Sequence, residues 1–595
     1  MRLAVACGLA LLIASCGRPR GSQNQDEPEP GQNDSRIVEI DLESGAPEGS
    51  SGSLFQLPAT RTYTGLVRAL ERSLESKETA GLFIKLGAAG LDFSRASEIG
   101  RIASRYREKK LPVVCHAHTL ANAGAWLTLK GCSRIWLSPA GSYETVGIAA
   151  ELVHVKSLLD RLKVATDFIA VGKYKGGAEP LTHTEPSEAT REALGATLGS
   201  MRAAWLADIE SARNGLGPAL EAGPYSPEEA KAQKLVDAVG FEEEALAEAK
   251  RLGKTRFSKA EFGPDSGTKD GFDLGQLIRI LSGAEEATGG KPHLAVVPAE
   301  GAITLESGGP FDSGGITSHS LNKTLERLRK DDSVKAVVLR IDSPGGSPLA
   351  SDLIWRELRE LQKKKPVITS VGSMAASGGY YIAVGTQKII AESTSIVGSI
   401  GVFGGKIVPG PALHEVGIDA FLIPANPDPV AAQRAAYLSP FRLWDDATRE
   451  RVRAHMQGIY DLFIERVATG RHLPNEKVRE IAEGRIYSGN QGKDLGLVDE
   501  IGGLAHAIDS VRKLAKLAPD IPVTVEGPRD GLLERLLLGE EASNAQIEAA
   551  VLAYEKRTAI LAQIPPSLRA HVASLSPLLT GETAVVALPL AVTLR

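Results

Sequence analysis

The chain repeats itself, and this internal repeat constrains the fold more than any other feature. The segment Leu120–Trp126 (LANAGAW) corresponds to Met374–Tyr380 (MAASGGY), 254 residues further along. Thr145–Ile148 (TVGI) corresponds to Ser399–Val402 (SIGV) at the same separation. A nearly constant separation over such a span indicates two copies of one unit.

Each copy is predicted to alternate strands and helices. In the second copy the apolar, β-rich runs at 334–341, 366–370 and 388–391 predict strands. The apolar spacing at 349–364 predicts a helix, a second helix is expected at 376–384, and a longer amphipathic one at 446–470. This alternation favours a layered α/β fold with parallel strands.

A chain of 595 residues is too long for a single hydrophobic core, so at least two domains are expected. The predicted boundaries are a signal peptide at 1–15, a lipidated cysteine and flexible tether at 16–52, and a first repeat at 53–255. They continue with a polar connector at 256–290, a second repeat at 291–524 and an extension of unknown role at 525–595. Within the extension, helices are expected around 532–538 and 545–564, and an apolar strand or packed tail at 583–594.

The N-terminus has the pattern of an exported lipoprotein. A short positive start precedes the apolar run Leu3–Ile13, which is too short to span a membrane. Ile13-Ala-Ser-Cys16 resembles the bacterial lipobox, so Cys16 is expected to carry lipid and to anchor the chain. The alternative is an ordinary signal peptide with an incidental cysteine.

Composition and motifs exclude several functions. The net charge of −5 offers no basic surplus for nucleic acid. No nucleotide-binding glycine motif is present, so no cofactor is expected. His116 and His118 lack a cluster of further ligands, which favours surface histidines at a strand end over a metal site. Cys115 and Cys132 lie in apolar surroundings, and unpaired thiols are favoured over a disulfide.

Ser377 is the candidate nucleophile. It lies in the segment ASGG, where a predicted strand meets a predicted helix, and such a junction directs backbone N–H groups outward. The N–H of Gly378 could then stabilise an oxyanion. Gly345 and Gly346 follow the preceding strand and allow close approach of a substrate, with Gly346 as the second donor. A serine also needs a base, and no motif near Ser377 supplies one.

Three motifs of the second copy resemble those of peptidase family S49, the signal peptide peptidase A family, in its double-length form. They are DSPGGS at 342–347, AASGGY at 375–380 and VGSIG at 397–401. The resemblance implies a tandem duplication of a Clp-protease/crotonase-like ββα domain. It implies Ser377 as nucleophile and a lysine base in the first copy. The motif GKYKGGAEP at 172–180 makes that base Lys175, with Lys173 as the rival.

Further implications of the resemblance concern the lysine and its surroundings. Ser399 matches the serine that orients the lysine amine. A lysine accepts a proton near neutrality only if burial lowers its pKa, so Lys175 should be sequestered away from carboxylates.

The two copies complement each other in these motifs. Ala123 stands at the position of Ser377 in the first copy, and Pro429 at that of Lys175 in the second. Gly90-Leu91 replaces the glycine pair. One copy thus lacks the nucleophile and the other lacks the base, which predicts one site built from both.

The resemblance implies a membrane-anchored serine endopeptidase that cuts peptides through an acyl-enzyme, including cleaved signal peptides, with small apolar residues at the cut. It also implies a homo-oligomer, a tetramer for the double-length form, facing the periplasm. The lipid anchor in place of a spanning helix leaves inner or outer membrane open. The alternatives are a crotonase-like acyl-CoA enzyme and a noncatalytic, peptide-binding lipoprotein scaffold.

Overall fold

The computed structural model describes residues 35–48, 61–87, 91–263, 290–306, 315–527, 586–587 and 593–594. The expected lipid-bearing Cys16, Gly90 of the degraded glycine pair, and the helices expected around 532–538 and 545–564 lie outside these residues. Of the helices within them, none combines the length and the apolar character needed to cross a membrane.

The first half of the chain forms a parallel sheet covered by helices. Its strands are β1 (Arg36–Leu42), β2 (Thr79–Leu86), β3 (Val113–Ala121), β4 (Arg134–Glu144), β5 (Ala150–Glu151), β6 (Ala165–Val171), β7 (Ala238–Val239) and β8 (Phe257–Phe262). Its helices are α1 (Tyr63–Glu75), α2 (Phe93–Glu108), α3 (Asn122–Gly131), α4 (Lys156–Arg161), α5 (Glu179–Thr182), α6 (Glu188–Ala212), α7 (Pro227–Ala232) and α8 (Glu242–Leu252), with 3-10 turns at Gly176–Ala178 and Gly217–Glu221. The strand order is β7-β4-β3-β2-β1-β8, and every neighbouring pair is parallel.

The second half repeats this arrangement. Its strands are β9 (His293–Glu300), β10 (Ile303–Thr304), β11 (Ile316–Thr317), β12 (Val334–Ser343), β13 (Gly345–Gly346), β14 (Val367–Ala376), β15 (Ile389–Ala391), β16 (Ile396–Gly398), β17 (Val402–Val408), β18 (Ile486–Ser488), β19 (Glu500–Ile501) and β20 (Val523–Val525). Its helices are α9 (Ser318–Lys330), α10 (Pro348–Gln362), α11 (Gly378–Ala383), α12 (Gly410–Glu415), α13 (Pro429–Ala435), α14 (Asp446–Arg471), α15 (Asn475–Ile481), α16 (Gly489–Asp494) and α17 (Leu504–Leu514). Two short strands follow near the C-terminus, β21 (Val586–Ala587) and β22 (Thr593–Leu594).

The parallel strand order β19-β15-β14-β12-β9-β20 matches that of the first sheet member by member. Equivalent details recur as well: Ser226 and Ser488 each begin a helix with a capping box, 262 residues apart. The structure therefore confirms the predicted tandem α/β duplication. A branch of the second sheet, β16 with antiparallel β18, continues from the C-terminal end of β14.

The two halves pack together through buried polar contacts as well as apolar ones. Arg340 of β12 forms an ion pair with Glu48, with 2.9 Å between Nη2 and Oε1, and both side chains are 1% exposed. The backbone N–H of Ala505, in α17, donates to Glu98 of α2 at 2.7 Å. These contacts join specific polar groups of one half to specific polar groups of the other, and so define how the two halves pack.

Two expected boundaries were wrong at their edges. The flexible tether was expected to run to residue 52, but β1 pairs with both β2 and β8 in the first sheet, and Glu48 is buried. The connector was expected from residue 256, but β8 pairs with β1 and belongs to the same sheet. In both cases the sequence prediction missed a short strand, β1 or β8, because it lies in a polar stretch of the chain.

Two further expectations are corrected by packing. Cys115 and Cys132 were expected to be unpaired, but they form a disulfide with a Cα–Cα distance of 6.0 Å. The strand β3 and the end of α3 bring them together in the core, which the spacing of 17 residues does not reveal. His116 was expected at the surface, but it is 1% exposed, because it lies in the buried first part of β3. His118 is exposed, and no cluster suited to a metal ion occurs among the residues described.

Candidate active site

Ser377 lies at the junction between β14 and α11, where the sequence predicted it. Its backbone angles are φ 55° and ψ −115°, and it is fully buried. A positive φ is costly for a residue other than glycine, and surrounding contacts must hold it. The Ser377 N–H donates to the carbonyl of Gly398 at 2.8 Å, and the Ser377 carbonyl accepts from Tyr381 at 2.8 Å.

Lys175 reaches this serine from the first half of the chain. It follows β6, and β6 pairs antiparallel with β17 of the second half, with Val171 opposite Val402. This register places the end of β6 beside the start of β17, three residues after Ser399. The Lys175 Nζ donates to Ser377 Oγ at 2.7 Å.

Ser399 accepts two hydrogen bonds from the same amine. Lys175 Nζ donates to Ser399 Oγ at 2.9 Å and to the Ser399 carbonyl oxygen at 2.9 Å. The hydroxyl contact was expected, while the carbonyl contact was not. Ser399 has φ 54°, and its N–H donates to the carbonyl of Arg485 at 2.7 Å.

The segment Glu483–Arg485 supports the lysine loop, and the sequence interpretation missed it. The Glu483 carbonyl accepts from the N–H of Tyr174 at 2.7 Å, and the Gly484 N–H donates to Ile400 at 2.8 Å. Gly484 has φ +78°, and a Cβ there would lie 2.6 Å from the Lys175 backbone nitrogen. A glycine before a strand was the one available signal, but it did not indicate which loop approaches it.

Burial separates the two candidate lysines. Lys175 is 3% exposed, and burial lowers the pKa of its amine well below the usual value. No charged group among the described residues contributes to that shift. Lys173 is exposed, with its Nζ 5.0 Å from the centre of the Tyr174 ring. Of these two lysines, Lys175 has its amine in contact with a buried serine hydroxyl.

The glycine pair forms the short strand β13, with Gly346 parallel to Ile303 of β10. Gly345 has φ +104°, and a Cβ on Gly346 would lie 2.0 Å from the Ile303 carbonyl oxygen. Only glycine fits this path. Gly378 is the first residue of α11, and the first N–H groups of a helix have no acceptor within it.

The positions equivalent to Ser377 and Lys175 in the opposite copies lack the hydroxyl and the amine. Ala123 lies near the start of α3, where no side-chain hydroxyl is available. Pro429 begins α13 and is exposed. Thr145, at the position of Ser399, is buried. The chain thus brings the serine of one copy to the lysine of the other.

Comparison with known proteins agrees with this architecture. The model of peptidase family S49 matches residues 105–256 and 359–518. Protease 4 of Salmonella typhi is 30% identical over 466 residues, which cover 76% of this chain and 72% of that protein. Protease 4 of Haemophilus influenzae is 29% identical over 469 residues, covering 77% and 74%. The chloroplastic serine protease SPPA of Arabidopsis thaliana is 27% identical over 458 residues, covering 75% of this chain and 64% of the relative.

The matches to the two Protease 4 proteins extend over both copies. The fold and these relatives define the chain as a serine peptidase. It belongs to peptidase family S49, in the double-length form.

Proposed function

We propose that Ser377 is the nucleophile and Lys175 the general base of an endopeptidase that works through an acyl-enzyme. The observation that carries this proposal is the 2.7 Å contact between Lys175 Nζ and Ser377 Oγ in a buried site, where no carboxylate of the described residues shifts the pKa of the amine. A neutral amine at this distance can take the hydroxyl proton directly. Burial lowers the pKa of the amine, which favours the neutral form that this step needs.

The reaction follows from the positions of these groups. Ser377 Oγ bonds to the carbonyl carbon of the scissile peptide while its proton passes to Lys175 Nζ. The resulting oxyanion accepts hydrogen bonds from the N–H groups of Gly346 and Gly378. The Lys175 ammonium then protonates the leaving amine, the C–N bond breaks, and an ester on Ser377 remains.

Hydrolysis of that ester uses the same groups in reverse. Lys175 takes a proton from water as the water oxygen bonds to the ester carbon. The C–O bond to Ser377 breaks, the acid leaves, and Lys175 returns the proton to Ser377 Oγ. Ser399 orients the amine throughout, because its hydroxyl and carbonyl oxygens accept the two remaining hydrogen bonds of a protonated amine.

The substrates we propose are extended peptides associated with membranes, including cleaved signal peptides, with small apolar residues at the cut. This rests on the resemblance to the family and on the lipobox at Cys16. A lipid on Cys16 would hold the enzyme at the periplasmic face of a membrane. Assembly into a homo-oligomer, a tetramer by resemblance, is part of the same proposal.

A serine-directed phosphonate probe tests the catalytic assignment. The full-length protein, extracted from membranes, is treated with the probe and analysed by mass spectrometry together with a Ser377→Ala variant. We expect the probe on Ser377, a diacylglycerol on Cys16, and no labelling of the variant. Equal rates of casein hydrolysis by wild type and Ser377→Ala would overturn the assignment, as would an unlabelled Ser377.

A further inference from the structure

Arg485 contacts both loops that build the candidate site, one through its backbone and the other through its side chain. Its carbonyl oxygen accepts from the N–H of Ser399 at 2.7 Å, so its backbone supports the residue that orients the amine. Its Nη1 donates to Tyr174 Oη at 3.2 Å, and Tyr174 directly precedes Lys175. Arg485 thus joins the loop of Ser399 in the second copy to the lysine loop, residues 172–176, of the first.

The side chain of Arg485 is matched to Tyr174 in both position and hydrogen bonding. Its Cζ lies 4.7 Å from the centre of the Tyr174 ring, within the range of a cation–π contact. Glu192 of α6 pairs with Arg485 Nη1 at 2.9 Å and accepts from Tyr174 Oη at 3.2 Å. The tyrosine hydroxyl therefore accepts from the arginine and donates to the glutamate. A network of this kind holds its members more firmly than an isolated surface pair does.

A second side chain from the same segment holds the start of the lysine loop. The Glu483 carboxylate accepts from the backbone N–H of Lys173 at 2.9 Å. Glu483 and Arg485 therefore hold consecutive residues of the loop, Lys173 and Tyr174. The next residue, Lys175, is 3% exposed and turns inward to the serine. The loop cannot swing outward without breaking these contacts.

Closure of the lysine loop controls how well the amine is shielded from water. The charged side chains on or beside the loop include Lys173, Glu179, Glu192, Glu483 and Arg485. No charge among the described residues contributes to the lowered pKa of Lys175, which results from burial. An opening that admitted water would raise that pKa and reduce the neutral fraction of the amine near neutrality.

We propose that Arg485 is a positioning residue that keeps the lysine loop closed over the amine of Lys175. This inference rests on the proposed function. Arg485 acts through Tyr174 and through the backbone of Ser399. A guanidinium suits this role because it stays charged at every working pH and presents its donors in a rigid plane that also stacks on an aromatic ring.

The variant Arg485→Met tests the role, because methionine is also long and unbranched but lacks the cation. With a fluorogenic peptide we expect the midpoint of the kcat/KM profile against pH to rise by about one unit, which lowers kcat/KM about tenfold below the wild-type midpoint. At the alkaline plateau, where the amine is neutral in both proteins, kcat/KM should be within about twofold of wild type. An unchanged midpoint, or a loss that persists at the plateau, would overturn the proposal.

Arg256→Met is the matched control. The Arg256 guanidinium lies 4.9 Å from the centre of the Phe257 ring at an exposed position beside β8, so the same contact is removed elsewhere. This control should keep the wild-type profile. Tyr174→Leu removes the Arg485 contact from the side of the lysine loop and should raise the midpoint as Arg485→Met does. A wild-type midpoint in Tyr174→Leu would also overturn the proposal.

A double variant separates loop position from simple electrostatics. Loss of the arginine leaves the charge of Glu192 unpaired near the loop, and an unpaired carboxylate raises the pKa of a nearby amine. The variant Arg485→Met/Glu192→Gln removes both charges and should keep the raised midpoint. A return to the wild-type midpoint would overturn the proposal, because the charge of Glu192 would then be the cause.

Hydrogen exchange separates this proposal from the catalytic one. In the Ser377→Ala background, the amides of residues 172–176 should exchange about tenfold faster when Arg485 is replaced by methionine, as followed by mass spectrometry. Faster exchange, with no Ser377-dependent hydrolysis by wild type, would support positioning and overturn the catalytic assignment. Equal exchange, together with hydrolysis that depends on Ser377, would overturn positioning alone.

Discussion

The amine nitrogen of Lys175 lies 2.7 Å from the hydroxyl oxygen of Ser377, although 202 residues separate them in sequence. The contact joins the two copies of a duplicated unit, and neither copy supplies both groups. It depends on the antiparallel pairing of β6 with β17. Changes that disturb this pairing are therefore expected to act on catalysis even when they lie away from Ser377.

Replacing Lys175 by methionine should lower kcat by about 10³-fold, because the transition state loses its proton acceptor. The matched control is Lys173→Met, two residues away, where the exposed side chain should leave kcat within about twofold of wild type. Steady-state hydrolysis of a fluorogenic peptide measures both. A larger loss at Lys173 than at Lys175 would contradict the choice of base.

The pH dependence of kcat/KM should report the buried amine. Burial disfavours the ammonium form and lowers the pKa of Lys175 well below the usual 10.5. The neutral, active fraction therefore grows as pH rises, and kcat/KM should increase with pH and level off well before 10.5. The rate of inactivation by the phosphonate probe should follow the same curve. A midpoint at the ordinary lysine value would rule out the neutral amine.

Gly484→Ala should reduce kcat at least tenfold. The added Cβ would lie 2.6 Å from the Lys175 backbone nitrogen and must push the lysine loop away from Ser377. Gly417→Ala is the control, because Gly417 has a similar φ of +82° but no heavy atom of the described residues within 4 Å of the Cβ position. Both variants share the left-handed strain of about 1 kcal/mol. Equal activities would show that the close contact at Gly484 has no effect on catalysis.

The ion pair between Glu48 and Arg340 should contribute strongly to stability. Burial by itself would raise the pKa of Glu48, but the guanidiniums of Arg340 and Arg95 lower it below its usual value. Glu48→Gln leaves Arg340 buried without its counter-charge, and we expect a loss of about 3 kcal/mol or more in the free energy of unfolding.

The exposed pair Lys363–Glu360 provides the control for that measurement, since Glu360→Gln should change stability by less than about 1 kcal/mol. Urea unfolding compares the variants. Because the pKa of Glu48 is lowered in the folded state, its contribution is present above the unfolded pKa and is lost as pH falls through the folded one. Equal effects of the two substitutions would contradict the role of the buried pair.

The disulfide between Cys115 and Cys132 should stabilise the first half of the chain. Closing a loop of this size restricts the unfolded chain, and its loss is expected to cost about 3 kcal/mol. The variant Cys115→Ala/Cys132→Ala should unfold at lower urea than wild type. Dithiothreitol should destabilise wild type and leave the variant unchanged. An equal effect of the reductant on both would contradict a native disulfide.

Local patterns in the sequence were sufficient for much of the fold. The β-rich run at 334–341 became β12, the apolar spacing at 349–364 became α10, and the strand-to-helix junction at Ser377 is in place. These predictions succeed because the spacing of apolar residues reflects which face of a helix or strand is buried. The sequence did not predict the strands β1 and β8 of the first half, because both carry charged residues that obscure the pattern of a paired strand.

The sequence by itself determined the duplication and the motif positions, because a repeat and its residue types are written in the order of the chain. It also indicated that a candidate base for Ser377 had to be sought in the other copy. Only the tertiary structure decided that Lys175 rather than Lys173 faces the serine, that the Ser399 carbonyl binds the amine, and that Gly484 leaves room for the lysine loop. Those facts depend on strand register and burial, which arise from contacts between residues hundreds of positions apart.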